Sequence, residues 1–388
     1  MKAASMLHRH GTPSHRMERV MKRVSNTIGV EADYLYTPTA LLISFAEGSH
    51  RTVLQRIDAG AINLGKLVEF DEALEDLEDG LASVQETNIR IDSIEASPAR
   101  FGRFWPIVAG SIATACATVL IGGGWREVLF AFLMGVVLLC WDLILKRWVP
   151  QEFALEFTAG FFAALAALVV GAVWPSFDDR TATLGSLIVL VPGFSFTVAL
   201  TELANRHLSS GVARLAGAGV VFLALICGVA LAWRLGSDWR APPVMPESLT
   251  GLWYALAVII APFSFAVLFQ ARPKEWSIIA IVAWCGFVVT ILATQWKGLE
   301  FGAFSGALAL GVAANLYARI LDRPSLVPQV PATLMLVPGS LGYRSLAAFV
   351  DKKGIEGIES AFAMAIVATA IVGGLLAANL VVPPKRVL

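Results

Sequence analysis

The chain has 388 residues, of which 56% are hydrophobic and 15% charged, with 30 basic and 30 acidic side chains. A soluble protein carries about 25% charged residues, and the mean hydropathy of +0.68 argues further against a soluble enzyme. Zero net charge leaves no basic footprint for nucleic acid. The charge is unevenly placed, because residues 1–104 hold 27 of the 60 charged side chains. That asymmetry sets a domain boundary near Arg103.

The first 30 residues lack the apolar core of a signal peptide. They read as a basic, mobile, solvated tail carrying His8, His10 and His15. Met17, Val20, Met21, Val24 and Ile28 then recur at helical spacing, and Gly29 sits where a helix ends. Tyr34 to Phe45 and Arg51 to Ile57 read as a strand pair. A second helix opens near Asn63, with Leu67, Phe70, Leu74, Leu77 and Leu81 on one face. The acidic residues Glu69, Asp71, Glu72, Glu75, Asp76, Glu78 and Asp79 read as its solvated face. Residues 1–104 are thus expected to form a small soluble α+β domain. It has no nucleophile–base arrangement and no phosphate loop, so the chain is not read as an enzyme. Cys116, Cys140, Cys227 and Cys285 lie in apolar runs without ligand spacing, so they imply neither metal nor cofactor.

From Trp105 onward, apolar runs of the roughly 20 residues needed to cross a bilayer follow one another. They fall at 105–121, 127–145, 153–174, 181–203, 211–233, 249–270, 276–293, 299–318, 326–349 and 357–381. Lys and Arg in alternate flanks number twelve against seven, which orients both termini to the cytoplasm. Leu190-Val191-Pro192-Gly193 recurs as Leu336-Val337-Pro338-Gly339, 146 residues later. The same offset pairs Gly160 with Gly306, Gly211 with Gly357, and Gly228 with Gly374. The expected fold is an all-α polytopic membrane protein of about ten transmembrane helices, formed by two five-helix repeats at 105–235 and 249–381. An odd helix number inverts the second repeat relative to the first, an architecture of secondary transporters. Gly160, Gly217, Gly306 and Gly311 are small enough to pack helices within or between subunits, which allows a homo-oligomer.

Each Pro-Gly falls mid-span, where a missing donor and a flexible residue break a helix. Unwound backbone at that depth belongs where it is buried or lines a cavity. A small-molecule substrate is therefore expected between the breaks, near Pro192, Gly193, Ser195 and Thr197 and near Pro338, Gly339, Ser340, Tyr343 and Arg344. Asp142, Glu156 and Glu202 are ionisable groups inside spans and are the candidates for carrying a coupling proton. A channel or scaffold in which both breaks are packing kinks is the competing expectation.

The run LVPGFSFTVALTELANRHLSSGVARL (190–215), a PG followed by an acid and then G-x-x-R, resembles the first membrane half of the threonine/serine exporter family. GVEADYLYTPTALLISF (29–45) belongs to the same resemblance, and LMLVPGSLGYRSL (334–346) resembles the second half. The resemblance implies a multi-pass cytoplasmic (inner) membrane exporter of small hydroxy amino acids, driven by the proton motive force. It also implies that Pro192, Gly193, Glu202, Gly211 and Arg214 match the first-half pattern, and Pro338, Gly339, Tyr343 and Arg344 the second. Relatives with split halves are associated with dicarboxylate export, which keeps a succinate-like substrate as the alternative.

Overall fold

The computed structural model describes residues 2–45, 51–57, 60, 62–148, 152–174, 176–237, 247–337, 341, 348 and 353–384. Its N-terminal portion opens with α1 (Lys2–Arg9), which buries Ala3, Ala4, Met6 and Leu7. The expected mobile tail is therefore corrected to a packed helix, one too short for its apolar face to register as a period. His8 is buried with it and donates its Nε2 proton to the Pro38 carbonyl at 2.8 Å. In α2 (Ser14–Ile28) Met17, Val20, Met21 and Val24 face inward as their spacing requires, and Gly29 closes the helix in the left-handed conformation at φ 70°.

The expected strand pair is a three-stranded antiparallel sheet in the order β1 (Ala32–Thr37), β2 (Ala40–Phe45), β3 (Arg51–Arg56). Pro38-Thr39 forms a two-residue turn, so Thr37 pairs with Ala40 and one expected strand becomes two. Asn63 caps α3 (Leu64–Glu78) by accepting from the Lys66 amide. Ser83 and Glu86 form a reciprocal capping box at the start of α4 (Val84–Ala96).

The remaining elements are α5 (Phe104–Leu120), α6 (Trp125–Trp148), α7 (Glu152–Val173), α8 (Asp179–Leu187), α9 (Gly193–Ala204) and α10 (Leu208–Leu235). They are followed by α11 (Leu252–Leu268), α12 (Trp276–Lys297), α13 (Leu299–Leu321), α14 (Leu326–Leu334) and α15 (Gly354–Val381). Among the described residues six helices are long and apolar enough to cross a membrane: α6, α7, α10, α12, α13 and α15. Their outward faces are apolar too, as Leu129, Leu133 and Val137 on α6 illustrate, so they suit lipid rather than water. This is a mostly helical, multi-pass membrane protein. The expected span 181–203 is divided into α8 and α9 at Val191-Pro192. Of the expected span 326–349, α14 covers the beginning, and most of the rest lies outside the described residues.

The bounds of α10 and α15 differ by the 146-residue offset at both ends. One apolar core joins α6, α7, α8 and α10, and another joins α12, α13, α14 and α15. Those elements are counterparts at that offset. Close approach in both cores depends on glycine. A Cβ on Gly228 of α10 would lie 2.1 Å from the Phe157 carbonyl of α7, and one on Gly374 of α15 would lie 2.3 Å from the Phe304 carbonyl of α13. Gly160 and Gly306 diverge, since Gly160 meets Leu225 of α10 while Gly306 meets Thr290 of α12. Gly311 abuts Ala378, and nothing lies within 4 Å of a Cβ placed on Gly217.

A third core fuses the N-terminal portion to the helical part. Met17, Ile43 and Phe70 share it with Ala271, Ile279, Leu326 and Val327. Charges reinforce the seam and correct the expectation of a solvated acidic face on α3. Glu72 pairs with Arg272 at 3.1 Å and with Arg323, and Glu69 pairs with Arg100 at 2.8 Å. Burial pushes the Glu72 carboxyl up, but the two guanidinium groups outweigh it and hold it below the usual carboxylate range.

Overpacking a tight helix contact costs about 1–3 kcal/mol. Gly228→Ala and Gly374→Ala are accordingly expected to lower the thermal unfolding midpoint of the detergent-solubilised protein. Gly217→Ala, at an open position, serves as the control and leaves it unchanged.

Candidate functional site

The break between α8 and α9 is formed by residues 188–192. The amides of Leu190 and Val191 donate back to the Leu187 carbonyl, and Gly193 donates to Val191 at 2.8 Å. Pro192 caps α9 at φ −78°, ψ 36°. The chain thus leaves the helix at Ile188 and re-enters it at Gly193, with the amides of Leu190, Val191 and Gly193 bonded within the break.

Beyond the break, α9 presents Phe194, Thr197, Val198, Thr201 and Asn205 to a cavity of about 330 Å³. These positions follow one helical face. The opposite wall comes from Gln329, Val330 and Thr333 of α14 and from Leu375, Leu376 and Asn379 of α15. Residues from the two halves of the helical part therefore face each other across it. Pro13, His15, Arg16 and Arg19, at the start of α2, close one end together with Ile62, Leu64 and Leu67. The lining includes hydroxyl, amide, imidazole and guanidinium groups, but no carboxylate among the described lining residues. Such a surface suits a small ligand that carries negative charge.

Arg16 is 6% exposed. Its guanidinium donates to Ser325 Oγ at 3.0 Å and to Gln329 Oε1 at 2.7 Å, which ties α2 to α14. Burial, and then the charge of Arg19, pull its pKa down to about 9, so it stays cationic at neutral pH. His15 lies beside it. Burial, with smaller contributions from Arg16, Arg19, His207 and Arg214, brings the His15 imidazole down to about 2. It is therefore neutral at physiological pH.

Glu202 ties α2 to the other wall. It has no solvent exposure. Its Oε1 accepts from the Ser14 amide at 3.0 Å, and its Oε2 accepts from Ser210 Oγ at 2.7 Å. The Arg214 guanidinium donates to both oxygens, at 3.2 and 3.3 Å. One carboxylate thus joins α2, α9 and α10.

Of the residues expected to bind substrate, Thr197 lines the cavity, buried and donating to the Gly193 carbonyl at 3.1 Å. Pro192, Gly193 and Ser195 form the break and the first turn of α9 and lie outside the lining. Pro338, Gly339, Ser340, Tyr343 and Arg344 lie outside the described residues. Among the acids, Asp142 pairs with Lys146 at 2.6 Å near the end of α6, and Glu156 is partly buried in α7. Neither borders the cavity, whereas Glu202 is bonded to an element that does. His15, Arg16, Arg19, Gln329 and Asn379 were not among the expected site residues. Arg16 left a legible trace, because it shares the apolar face of Val20 and Val24 at four-residue spacing.

A family model described as "Putative threonine/serine exporter" matches residues 1–236, and one described as "Threonine/Serine exporter, ThrE" matches residues 254–381. The chain belongs to the threonine/serine exporter family. Both halves of the exporter pattern are thus present in one chain, with the cavity between them. Among curated proteins, the chain is 25% identical over 348 residues to "Pheromone-regulated membrane protein 10" of Eremothecium gossypii, covering 87% of this chain and 47% of that protein. It is 26% identical over 345 residues to the protein of the same name from Saccharomyces cerevisiae, covering 86% and 44%. The chain therefore spans between about a third and a half of the length of the curated relatives it matches. No solved structure matches it.

Removing one partner of a buried ion pair costs about 3 kcal/mol at the low end. Glu202→Gln should therefore free the start of α2, read as faster hydrogen exchange at residues 11–19 with little change in α6. The His15 pKa lies below the unfolded value of 6.5, so the folded state resists the proton that the released helix accepts. Seating of α2 should weaken as pH falls below about 6.5, by up to about 1.4 kcal/mol per unit. Exchange at residues 11–19 between pH 7.5 and 5.5 checks this, and His15→Gln should flatten the dependence.

Proposed function

We propose that the protein is a secondary-active exporter of threonine and serine, working by alternating access and coupled to protons. The observation that carries this is the position of the cavity. It lies between the half-helix that follows Pro192-Gly193 and α14 and α15 of the second half, with hydroxyl and amide groups along its walls. Family membership supports export, and the counterpart cores support two five-helix repeats, at 105–235 and 249–381, inverted about the membrane. In this reading ten segments cross the bilayer, counting α8 with α9 as one and the second Pro-Gly span as another. Residues 1–104 form a cytoplasmic domain, and both termini lie in the cytoplasm. The chain then sits in the inner membrane, as one copy or as a homo-oligomer. The half-helix breaks give each repeat a hinge: Thr197 faces the substrate, Pro192, Gly193 and Ser195 form the hinge behind it, and Pro338, Gly339, Ser340, Tyr343 and Arg344 are the second-half candidates.

Asp142, Glu156 and Glu202 are the candidates for the coupling proton. Glu202 is favoured, since it is bonded to the start of α2, which borders the cavity. A dicarboxylate substrate is the second reading, and a specific observation supports it: the lining brings in Arg16 and Arg19, with no acid among the described lining residues to face an ammonium group.

Counterflow in proteoliposomes separates these readings. Labelled threonine and serine should overshoot when unlabelled amino acid is inside, and a pH gradient should raise the rate. Succinate overshoot in place of threonine would establish the second reading, and absence of overshoot for all three would indicate a channel or scaffold. Gly193→Leu and Gly339→Leu proteins that insert normally should lose at least tenfold in flux. Glu202→Gln should leave whatever counterflow remains without a response to the gradient.

A further inference from the structure

We infer that the cavity is polarised, with hydrogen-bond acceptors on α9 for an ammonium group and amide donors on α14 and α15 for a carboxylate. It thereby selects a small zwitterion over a dicarboxylate. This rests on the transport reading above and decides between its two substrate classes. A backbone carbonyl can only accept, and that fixes the polarity of the three polar side chains on the α9 wall. Thr197 Oγ1 donates to the Gly193 carbonyl at 3.1 Å, Thr201 Oγ1 to the Thr197 carbonyl at 2.9 Å, and Asn205 Nδ2 to the Thr201 carbonyl at 2.8 Å. Both hydroxyl protons are committed to the helix, and the Asn205 amide has its nitrogen on the backbone. What these lining residues have left for a ligand is oxygen lone pairs. Their four-residue spacing sets neighbours about 6 Å apart along the helix, so a cation seated between two of them reaches both. Thr201 belongs to either pair.

The same logic gives the facing wall the opposite polarity. Asn315 Nδ2 donates to the Val382 carbonyl at 2.8 Å and to Asn379 at 2.9 Å. Because the carbonyl fixes the Asn315 atom as nitrogen, the Asn379 atom that meets it is Oδ1. A guanidinium only donates, so the Gln329 atom bonded to Arg16 at 2.7 Å is Oε1. Among the described residues each of these two lining amides thus has its oxygen engaged and its nitrogen left as a donor. Thr333 donates to the Gln329 carbonyl at 2.7 Å and adds one acceptor to this wall, whereas α9 offers acceptors alone. An ammonium group is donor-only and a carboxylate acceptor-only. An amino acid therefore matches both walls, while the second carboxylate of a dicarboxylate would set oxygen against the oxygens of α9. The volume of about 330 Å³ is at the low end of the range for ligand pockets, which suits a molecule of that size.

The test measures equilibrium binding to the purified full-length protein, with threonine, 3-hydroxybutyrate, threonine amide and succinate as probes. Wild type should bind threonine at least tenfold more tightly than 3-hydroxybutyrate and succinate, which lack the ammonium group, and than the amide, which lacks the carboxylate. Thr201→Val removes the shared acceptor at nearly constant shape. It should cost at least tenfold in threonine binding and leave 3-hydroxybutyrate unchanged. Asn379→Asp keeps the oxygen that Asn315 needs and replaces the donor by a carboxylate oxygen. It should cost at least tenfold in threonine binding and spare threonine amide. Gln329→Glu makes the same exchange while keeping an oxygen for Arg16, and it serves where Asn379→Asp fails to fold. Equal losses of threonine and 3-hydroxybutyrate in Thr201→Val, or of threonine and its amide in Asn379→Asp, would make these residues structural and overturn the assignment. Unchanged threonine binding in either variant would do the same, as would a wild type that binds succinate as tightly as threonine or binds none of the probes. The crossed pattern of losses without counterflow would defeat the export reading and leave the polarity standing. Normal threonine counterflow by both variants would defeat the polarity and leave export standing.

Discussion

A carboxylate taken wholly out of water must be surrounded by donors, and Glu202 shows how far that requirement shapes this protein. Its oxygens are met by a backbone amide from α2, a hydroxyl and a guanidinium from α10, and by nothing from solvent. The donors lie on two elements other than α9, so one carboxylate joins three elements that apolar contact also brings together. Apolar contact is non-directional, whereas these bonds fix position. The start of α2 is consequently seated beside α9, and the cavity acquires an end wall with a defined set of cations.

Glycine does comparable work in the helical cores. Lipid gives two apolar helices little hydrophobic reason to associate, so close packing must supply the attraction. Gly228 and Gly374 allow the α7–α10 and α13–α15 backbones to approach until no Cβ could intervene. Close packing of this kind resists deformation. Residues 188–192 differ, because there the helical hydrogen-bond ladder is already interrupted.

Periodicity and apolar run length are local properties, and what they govern was legible. The helix of Met17, Val20, Met21 and Val24 with its Gly29 stop, the Asn63 cap and the interruption at Pro192-Gly193 all followed from residues within a few positions of one another. What was missed depends on distant partners. The acids of α3 look solvated until Arg100, Arg272 and Arg323 are brought to them. Arg16 looks like part of a basic tail until α14 closes over it. The Pro38-Thr39 turn was local and still hidden, because flanking residues of uniformly high β-propensity mask a two-residue reversal. Thr197 was legible as a cavity residue through its distance from the break, but the cations facing it come from about 180 positions away in the chain.

The two halves are counterparts in their helices but not in how they hold α2, and that difference has a mechanistic consequence. The position 146 residues after Glu202 is Ala348, and the one after Arg214 is Ser360, so the ion pair that grips Ser14 belongs to the first half alone. The second half holds α2 through Ser325 and Gln329, whose first-half counterparts are Asp179 and Thr183. If alternating access proceeds by exchanging the conformations of two inverted halves, a perfectly symmetric pair would populate both states equally. An element fastened to unlike positions on one face breaks that degeneracy, because its bonds are made in one state and must be lost or rearranged in the other. The bias equals the difference in free energy of seating α2 in the two states. A ligand bound in the cavity that the start of α2 borders would change that difference directly. The N-terminal portion would then set both the resting orientation of the exporter and the sensitivity of that orientation to substrate.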